Sequence, residues 1–270
     1  MAAAGSLAAI YRARPTGATD RPAAYALKML HARWRNDARA AQFLAREAEV
    51  GRSVSHPHVV PVLAAHVSRA PRYVVMPWLE GATLQSHLAG GRQFDPPEAL
   101  WFARQAAEGL DALHRADWMH GDIKPGNLFL SPEGHVTLLD LGFARRPDET
   151  GSAVDRCVLG TCNYLAPEWI TSTLRADIRS DIYSLGAVLF EMLSGRAPFA
   201  GQDLAEVATQ HRQARPPDLQ RLVPYLPHEV AQLVRQMLAK DPLRRPQTPR
   251  ELAERLADLE IATFSERAWS

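Results

Sequence analysis

Within six residues, Asp122 to Asn127, the chain sets out a carboxylate, a lysine and a carboxamide, in the run His120-Gly121-Asp122-Ile123-Lys124-Pro125-Gly126-Asn127. Apolar residues flank it, with Leu110, Leu113 and Trp118 before and Leu128, Phe129 and Leu130 after. So polar a run has no place in a core, and it reads as a functional loop between buried elements. A further acid, Asp140, stands thirteen residues after Asn127. The residues between read as a hairpin: an apolar run at 128–130, a turn at Ser131-Pro132-Glu133-Gly134, and a second run at 136–139. A hairpin returns the chain to its start, so Asn127 and Asp140 are expected side by side. An amide oxygen and a carboxylate converging at a sheet edge suit Mg²⁺ with phosphate. Asp122, a short step away, can take a proton from a substrate hydroxyl.

These residues resemble a known pattern. His120-Gly121-Asp122 is similar to the HRD triplet of protein kinases, with Lys124 and Asn127 where the catalytic-loop lysine and asparagine belong. Asp140-Leu141-Gly142 resembles DFG, and Ala166-Pro167-Glu168 is an unaltered APE. Singly, Asp122 or Asp140 reads as a loop-capping acid; four motifs in the right order favour the resemblance. It implies ATP and Mg²⁺ as cofactors. Asp122 would orient a hydroxyl and take its proton, Lys124 would stabilise the transferring phosphoryl, and Asn127 and Asp140 would hold Mg²⁺. Lys28, in Ala26-Leu27-Lys28, would grip the phosphates and pair with Glu47.

The resemblance extends to the nucleotide seat. The glycine-rich loop falls on residues 3–10, where Gly5 alone of its three glycines remains and Ile10 closes the pattern. Met76 falls at the gatekeeper place, and Pro77-Trp78-Leu79 at the adenine hinge. Thr161 and Glu168 would belong to the activation and substrate segment. Asp181 would prop the catalytic loop, and Arg245, in Asp241–Pro246, would pair with Glu168. These late motifs go with protein substrates rather than small molecules. Lys124-Pro125 and Thr161 are similar to Ser/Thr rather than Tyr kinases, most closely the bacterial eukaryotic-type enzymes.

The implied fold is α+β and bilobal: a small β-rich lobe with one main helix at 1–79, a larger and mainly helical lobe at 80–259, and a tail at 260–270. In the first lobe, Ala9–Ala13 and Ala24–Leu30 read as strands and 37–54 as a helix, with Asn36 or Asp37 as N-cap. Phe43, Val50 and Val54 set an apolar stripe that turns Glu47 inward, where a carboxylate needs a partner. Gly51 is expected to weaken this helix and leave a thin spot. In the second lobe, Asp95-x-x-Glu98 reads as a capping box opening a helix that runs to about His114. Ser180-Asp181 reads as the cap of a buried helix ending at Gly195, and three more helices are expected near 204–212, 228–239 and 249–259.

A formal net charge of +1 gives no global pull toward nucleic acid or an anionic membrane. Two cysteines, Cys157 and Cys162, make neither a disulfide framework nor a metal site, and point to a reducing compartment. No signal peptide is read at the start, and the apolar stretch at 182–193 is too short to span a bilayer. The expected setting is cytoplasmic, alone or as the cytoplasmic part of a longer membrane-anchored protein. The leading functional expectation is a Ser/Thr protein kinase that also phosphorylates itself. The alternatives are a pseudokinase binding module, suggested by the eroded glycine loop, and a small-molecule phosphotransferase. Gly121 departs from the pattern, because it offers no guanidinium to a loop phosphate. Activity without loop phosphorylation is therefore expected, with Asp155 a candidate stand-in or a plain solvated acid. Thr150 and Ser152 are candidate modification sites.

Overall fold

The computed structural model describes residues 3–5, 7–17, 22–147, 149, 162–170 and 176–267. Five antiparallel strands form the N-terminal sheet, in the order β1-β2-β3-β5-β4. They are β1 (Ala3–Ala4), β2 (Ala8–Ala13), β3 (Tyr25–Leu30), β4 (Ala64–His66) and β5 (Tyr73–Pro77). Lys28 pairs with Val74 across the β3–β5 ladder, and Ala26 with Met76.

Helix α1 (Ala38–Ser53) lies against this sheet. Asp37 starts it, its carboxylate accepting from Ala40 N at 2.7 Å, so one orphan donor of the first turn is satisfied. Its buried face carries Ala40, Leu44, Glu47, Ala48, Val50 and Gly51. Gly51 is not the thin spot expected of it. Val62 N donates to its carbonyl at 2.8 Å, and a Cβ there would stand 2.6 Å from Val62 Cγ2. The glycine lets the chain after the helix pack directly on it.

The turn at 56–60 joins the lobes. Val60 N donates to Leu138 O, and Leu138 N to His58 O, tying it to a second sheet. That sheet comprises β6 (Ala82–Thr83), β7 (Leu128–Leu130) and β8 (Val136–Leu138), with β7 and β8 forming the expected hairpin.

The rest is helical. After the short α2 (Leu84–Leu88), α3 (Pro96–Arg115) opens on Pro96 and Pro97. Asp95 occupies the N-cap, but the expected capping box is not formed: its carboxylate makes no capping hydrogen bond to the helix. The prolines at the first two helical positions leave the N–H of Glu98 as the first donor the carboxylate could have taken, and it does not take it. A single turn, α4 (Pro167–Ile170), precedes α5 (Ile178–Ser194). Nearly every residue of α5 is buried, as its all-round hydrophobicity requires. Its cap is Asp177, whose carboxylate accepts from Arg179 N, and not Ser180-Asp181 as expected. The helix starts earlier than expected, which places Ser180 and Asp181 inside its first turn, facing other elements. Gly195 ends it in the left-handed region, at φ 73°.

Four helices follow: α6 (Leu204–Gln213), α7 (Leu219–Leu222), α8 (His228–Met237) and α9 (Pro249–Arg267). The last runs on past Leu259 and docks on α3, where Glu260 accepts from Arg104 Nε at 2.7 Å. Among the described residues, no helix is long and apolar enough to cross a membrane.

The Gly51 contact makes a test. Alanine in a helix interior ordinarily stabilises by about 0.5–1 kcal/mol over glycine. Here Gly51→Ala is expected to destabilise, by about 1–3 kcal/mol, because Val62 must move. Urea unfolding of the two proteins checks the sign; a more stable variant would refute the packing.

Candidate active site

The loop at 120–127 is held from below by α5. Asp181 is buried, and its two carboxylate oxygens accept from the backbone N–H groups of His120 (2.7 Å) and Gly121 (2.8 Å). Gly121 sits at φ 77°, a conformation that strains any residue with a Cβ. His120 is fully buried, and burial holds its pKa below the ordinary value. Its ring is placed to serve both neighbours in the neutral form: Nδ1 accepts from Asp122 N, and Nε2 donates to Leu139 O.

Asp122 is buried at the centre of this loop. Its Oδ2 accepts from Asn127 Nδ2 at 2.8 Å and from Lys124 Nζ at 2.7 Å. Asn127 Nδ2 also donates to Asp122 O. With both bonds made through its nitrogen, Asn127 keeps its amide oxygen for another partner. Leu139 N donates to Asn127 O at 2.8 Å, so the hairpin brings Asn127 beside Asp140 as expected.

Across the cleft, Lys28 Nζ lies 2.8 Å from Glu47 Oε2 and 2.9 Å from Asp140 Oδ1. The two acids are not equivalent. Burial pushes Glu47 up to about 7 despite the pull of Lys28. For Asp140 burial also works against the charge, but Lys28 prevails and holds it below the usual carboxylate range. Lys28 itself is desolvated, yet Asp140 and Glu47 together raise it above an ordinary lysine. Asp140 adopts a left-handed backbone, at φ 60°, which turns its side chain into the cleft.

A cavity of about 330 Å³ opens over these groups. Gly5, Ile10 and Met76 line it on the sheet side, and Asn127 and Asp140 on the other. Lys28 and Glu47 stand in its wall. Ala26 and Leu79, expected at the nucleotide, are not among its lining residues; Ala26 is buried within β3. Phe43 and Phe143 line it instead, their rings 4.6 Å apart. Sequence reasoning assigned Phe43 to the helix stripe and overlooked Phe143, which lies just after the Asp140-Leu141-Gly142 triplet. Apolar character at consecutive positions does not say which ring faces a cavity.

Further from the cleft, Glu168 and Arg245 form a bidentate pair at 2.6 and 2.9 Å, with both side chains buried. Ser180 Oγ adds a bond to Glu168, and the guanidinium also donates to the carbonyls of Ala239, Arg179 and Lys240. Thr161 lies outside the described residues, as do Thr150, Ser152, Asp155 and Cys157.

A two-lobed fold with a lysine–carboxylate junction facing an Asp–Lys–Asn loop is the arrangement that the sequence resemblance implies. Comparison with known proteins agrees: residues 4–256 match the protein kinase domain, and the chain belongs to that family. It is 33% identical over 242 residues to the serine/threonine-protein kinase PrkC of Bacillus subtilis, covering 90% of this chain and 37% of that protein. It is 38% identical over 240 residues to the serine/threonine-protein kinase pkn2 of Myxococcus xanthus, covering 86% of this chain and 29% of that one. With PknB of Mycolicibacterium smegmatis, identity is 34% over 213 residues, 77% of this chain and 34% of that protein. The chain thus spans about a third of the length of these curated relatives.

Truncating one partner of a buried ion pair strands the other charge. Arg245→Ala is therefore expected to lower stability by about 3–5 kcal/mol. Chemical denaturation measures this; a loss below about 1 kcal/mol, the scale of exposed pairs, would contradict the burial.

Proposed function

We propose that this chain is the catalytic domain of a Ser/Thr protein kinase, transferring the γ-phosphoryl group of Mg·ATP to protein hydroxyls, its own included. The observation that carries the reading is the meeting of Asp122, held by Asn127 and Lys124, with the Lys28–Glu47–Asp140 junction at one cleft. The donor set fits the cofactor. Mg²⁺ takes oxygen ligands, and the cleft offers the carboxylate of Asp140 and the amide oxygen of Asn127, whose two bonds to Asp122 run through its nitrogen. A cavity with apolar walls ending in one lysine suits a nucleotide whose base is buried and whose phosphates are anionic.

When bound, Mg·ATP supplies the phosphoryl group and neutralises charge on the oxygens it leaves behind. The protein's own work is positioning and electrostatics. Lys28, fixed by Glu47, binds phosphate oxygens. Asp122 accepts a hydrogen bond from the Ser or Thr hydroxyl and takes its proton as the new O–P bond forms and the bond to the leaving phosphate oxygen breaks. Lys124, already beside Asp122, neutralises charge on the group in flight. The Glu168–Arg245 pair supports the wall on which a protein substrate would lie, which favours protein over small-molecule acceptors. The names of the relatives support Ser/Thr specificity. Because the nucleotide is an intracellular metabolite, the domain is proposed to work on the cytoplasmic side.

A second reading, a nucleotide-binding module without transfer, draws on the two-residue β1 and the single glycine of the loop beside it. Transfer of ³²P from Mg·ATP to the protein itself and to a generic basic protein separates the two. Label on Ser or Thr is expected, reduced roughly 10²–10⁴-fold in Asp122→Ala, the usual share of a general base. Intact nucleotide binding with no label would overturn the first reading and favour the second.

A further inference from the structure

Arg46, one residue before Glu47, points the other way from it and joins three parts of the chain. Its Nη1 lies 2.9 Å from both carboxylate oxygens of Glu149, which belongs to the segment after Asp140. Its Cζ also stands 5.0 Å over the ring of Trp118, two residues before His120. From the far side of the cluster, Arg146 places its own Cζ 4.4 Å over the same ring. Trp118 is only 2% exposed, so both guanidiniums engage a ring held in the core. Two backbone bonds between Met119 and Arg145, at 2.8 and 3.0 Å, fasten the segment to the start of the catalytic loop. Glu149 N donates to Arg146 O at 3.1 Å.

We propose that Arg46, Trp118, Arg146 and Glu149 are positioning residues: the Glu149 carboxylate on Arg46, stacked on Trp118, holds α1 in its inward place with no phosphate on the segment. The inference rests on the reading of the chain as a phosphotransferase and concerns how that site is kept assembled. The chemistry of the four groups supports it. A loop phosphate acts by giving guanidiniums an anion to hold. At Gly121 the catalytic loop has no guanidinium to offer, while α1 and the segment already carry a complete carboxylate–guanidinium pair. The pair is mechanically coupled to the site because Arg46 and Glu47 are neighbours on one helix. A turn of α1 that released Glu149 would also draw Glu47 from Lys28. Neither Asp155 nor any phosphosite is needed for this arrangement.

The test uses the 270-residue chain after phosphatase treatment, with intact mass confirming that it carries no phosphate. Wild type, Glu149→Gln and Glu149→Asp are compared for kcat on a protein acceptor and for amide exchange in α1. The wild type is expected to be active. Glu149→Gln is expected to lose about three- to tenfold in kcat, the scale of a partly exposed ion pair, and to exchange faster in α1. Glu149→Asp recovers most of the loss. Added salt slows the wild type toward the level of Glu149→Gln, a response a mere packing defect would not give. Equal rates and equal exchange in wild type and Glu149→Gln overturn the proposal. So does a phosphate-free wild type that is inert and is switched on by phosphate on the segment. No transfer by any version, with faster α1 exchange in Glu149→Gln, retains the cluster and removes the phosphotransferase reading.

Discussion

One ammonium group shared by two carboxylates is the constraint on which the arrangement depends. Lys28 comes from β3, Glu47 from α1 and Asp140 from the chain leaving β8, and all three meet within 2.9 Å. Sheet, helix and lower lobe must each be in place for that meeting to occur. Burying such charges costs desolvation that largely offsets their attraction, so the junction contributes little net stability. What it fixes is position. Glu47 is buried and Asp140 more than a third exposed on the cleft side, where Lys28 holds its carboxyl below the usual range. Of the two acids that line the cavity, the more exposed is therefore the one suited to attract a cation.

The lower lobe answers with a frame rather than a charge cluster. Helix α5 is buried along nearly its whole length, so Asp181 in its first turn is a fixed reference point. From there it holds two consecutive backbone N–H groups, which sets the start of the loop at 120–127. The hairpin β7–β8 sets its end by returning Asp140 to Asn127. Glu168 and Arg245 anchor the remaining wall through bonds that satisfy the whole guanidinium. The loop at 120–127 and the wall beside it are thus held by two rigid elements and one buried ion pair.

Features that repeat locally were legible in the sequence. Two apolar runs on either side of the turn Ser131–Gly134 marked the hairpin, and the spacing of Phe43, Val50 and Val54 turned Glu47 inward. Features set by distant approach were not. Gly51 read as a weakness because Val62, which packs on it, is silent in the helix pattern. The start of α5 was misplaced because Asp177, Ser180 and Asp181 are all competent caps, and only the fold assigns the last two to Glu168 and the catalytic loop. Asp95 with Glu98 had the form of a capping box, but the spacing of residue types does not fix the side-chain rotamer, and the Asp95 carboxylate makes no cap bond to the helix. Phe143 and the pair of Arg46 with Glu149 were missed for the same reason: 103 residues separate that pair, and no period connects them.

The central claim is that Asp140, with Lys28 against it and Asn127 beside it, seats a nucleotide through its metal. Calorimetric titration of the chain with ATP, with Mg²⁺ and with a chelator, in wild type and Asp140→Asn, tests it most directly. The account predicts binding that weakens at least about tenfold when either the metal or the carboxylate is removed, with no further loss when both are. Equal affinity in all four titrations would contradict it, and the cavity would then be a pocket without a metal-dependent function.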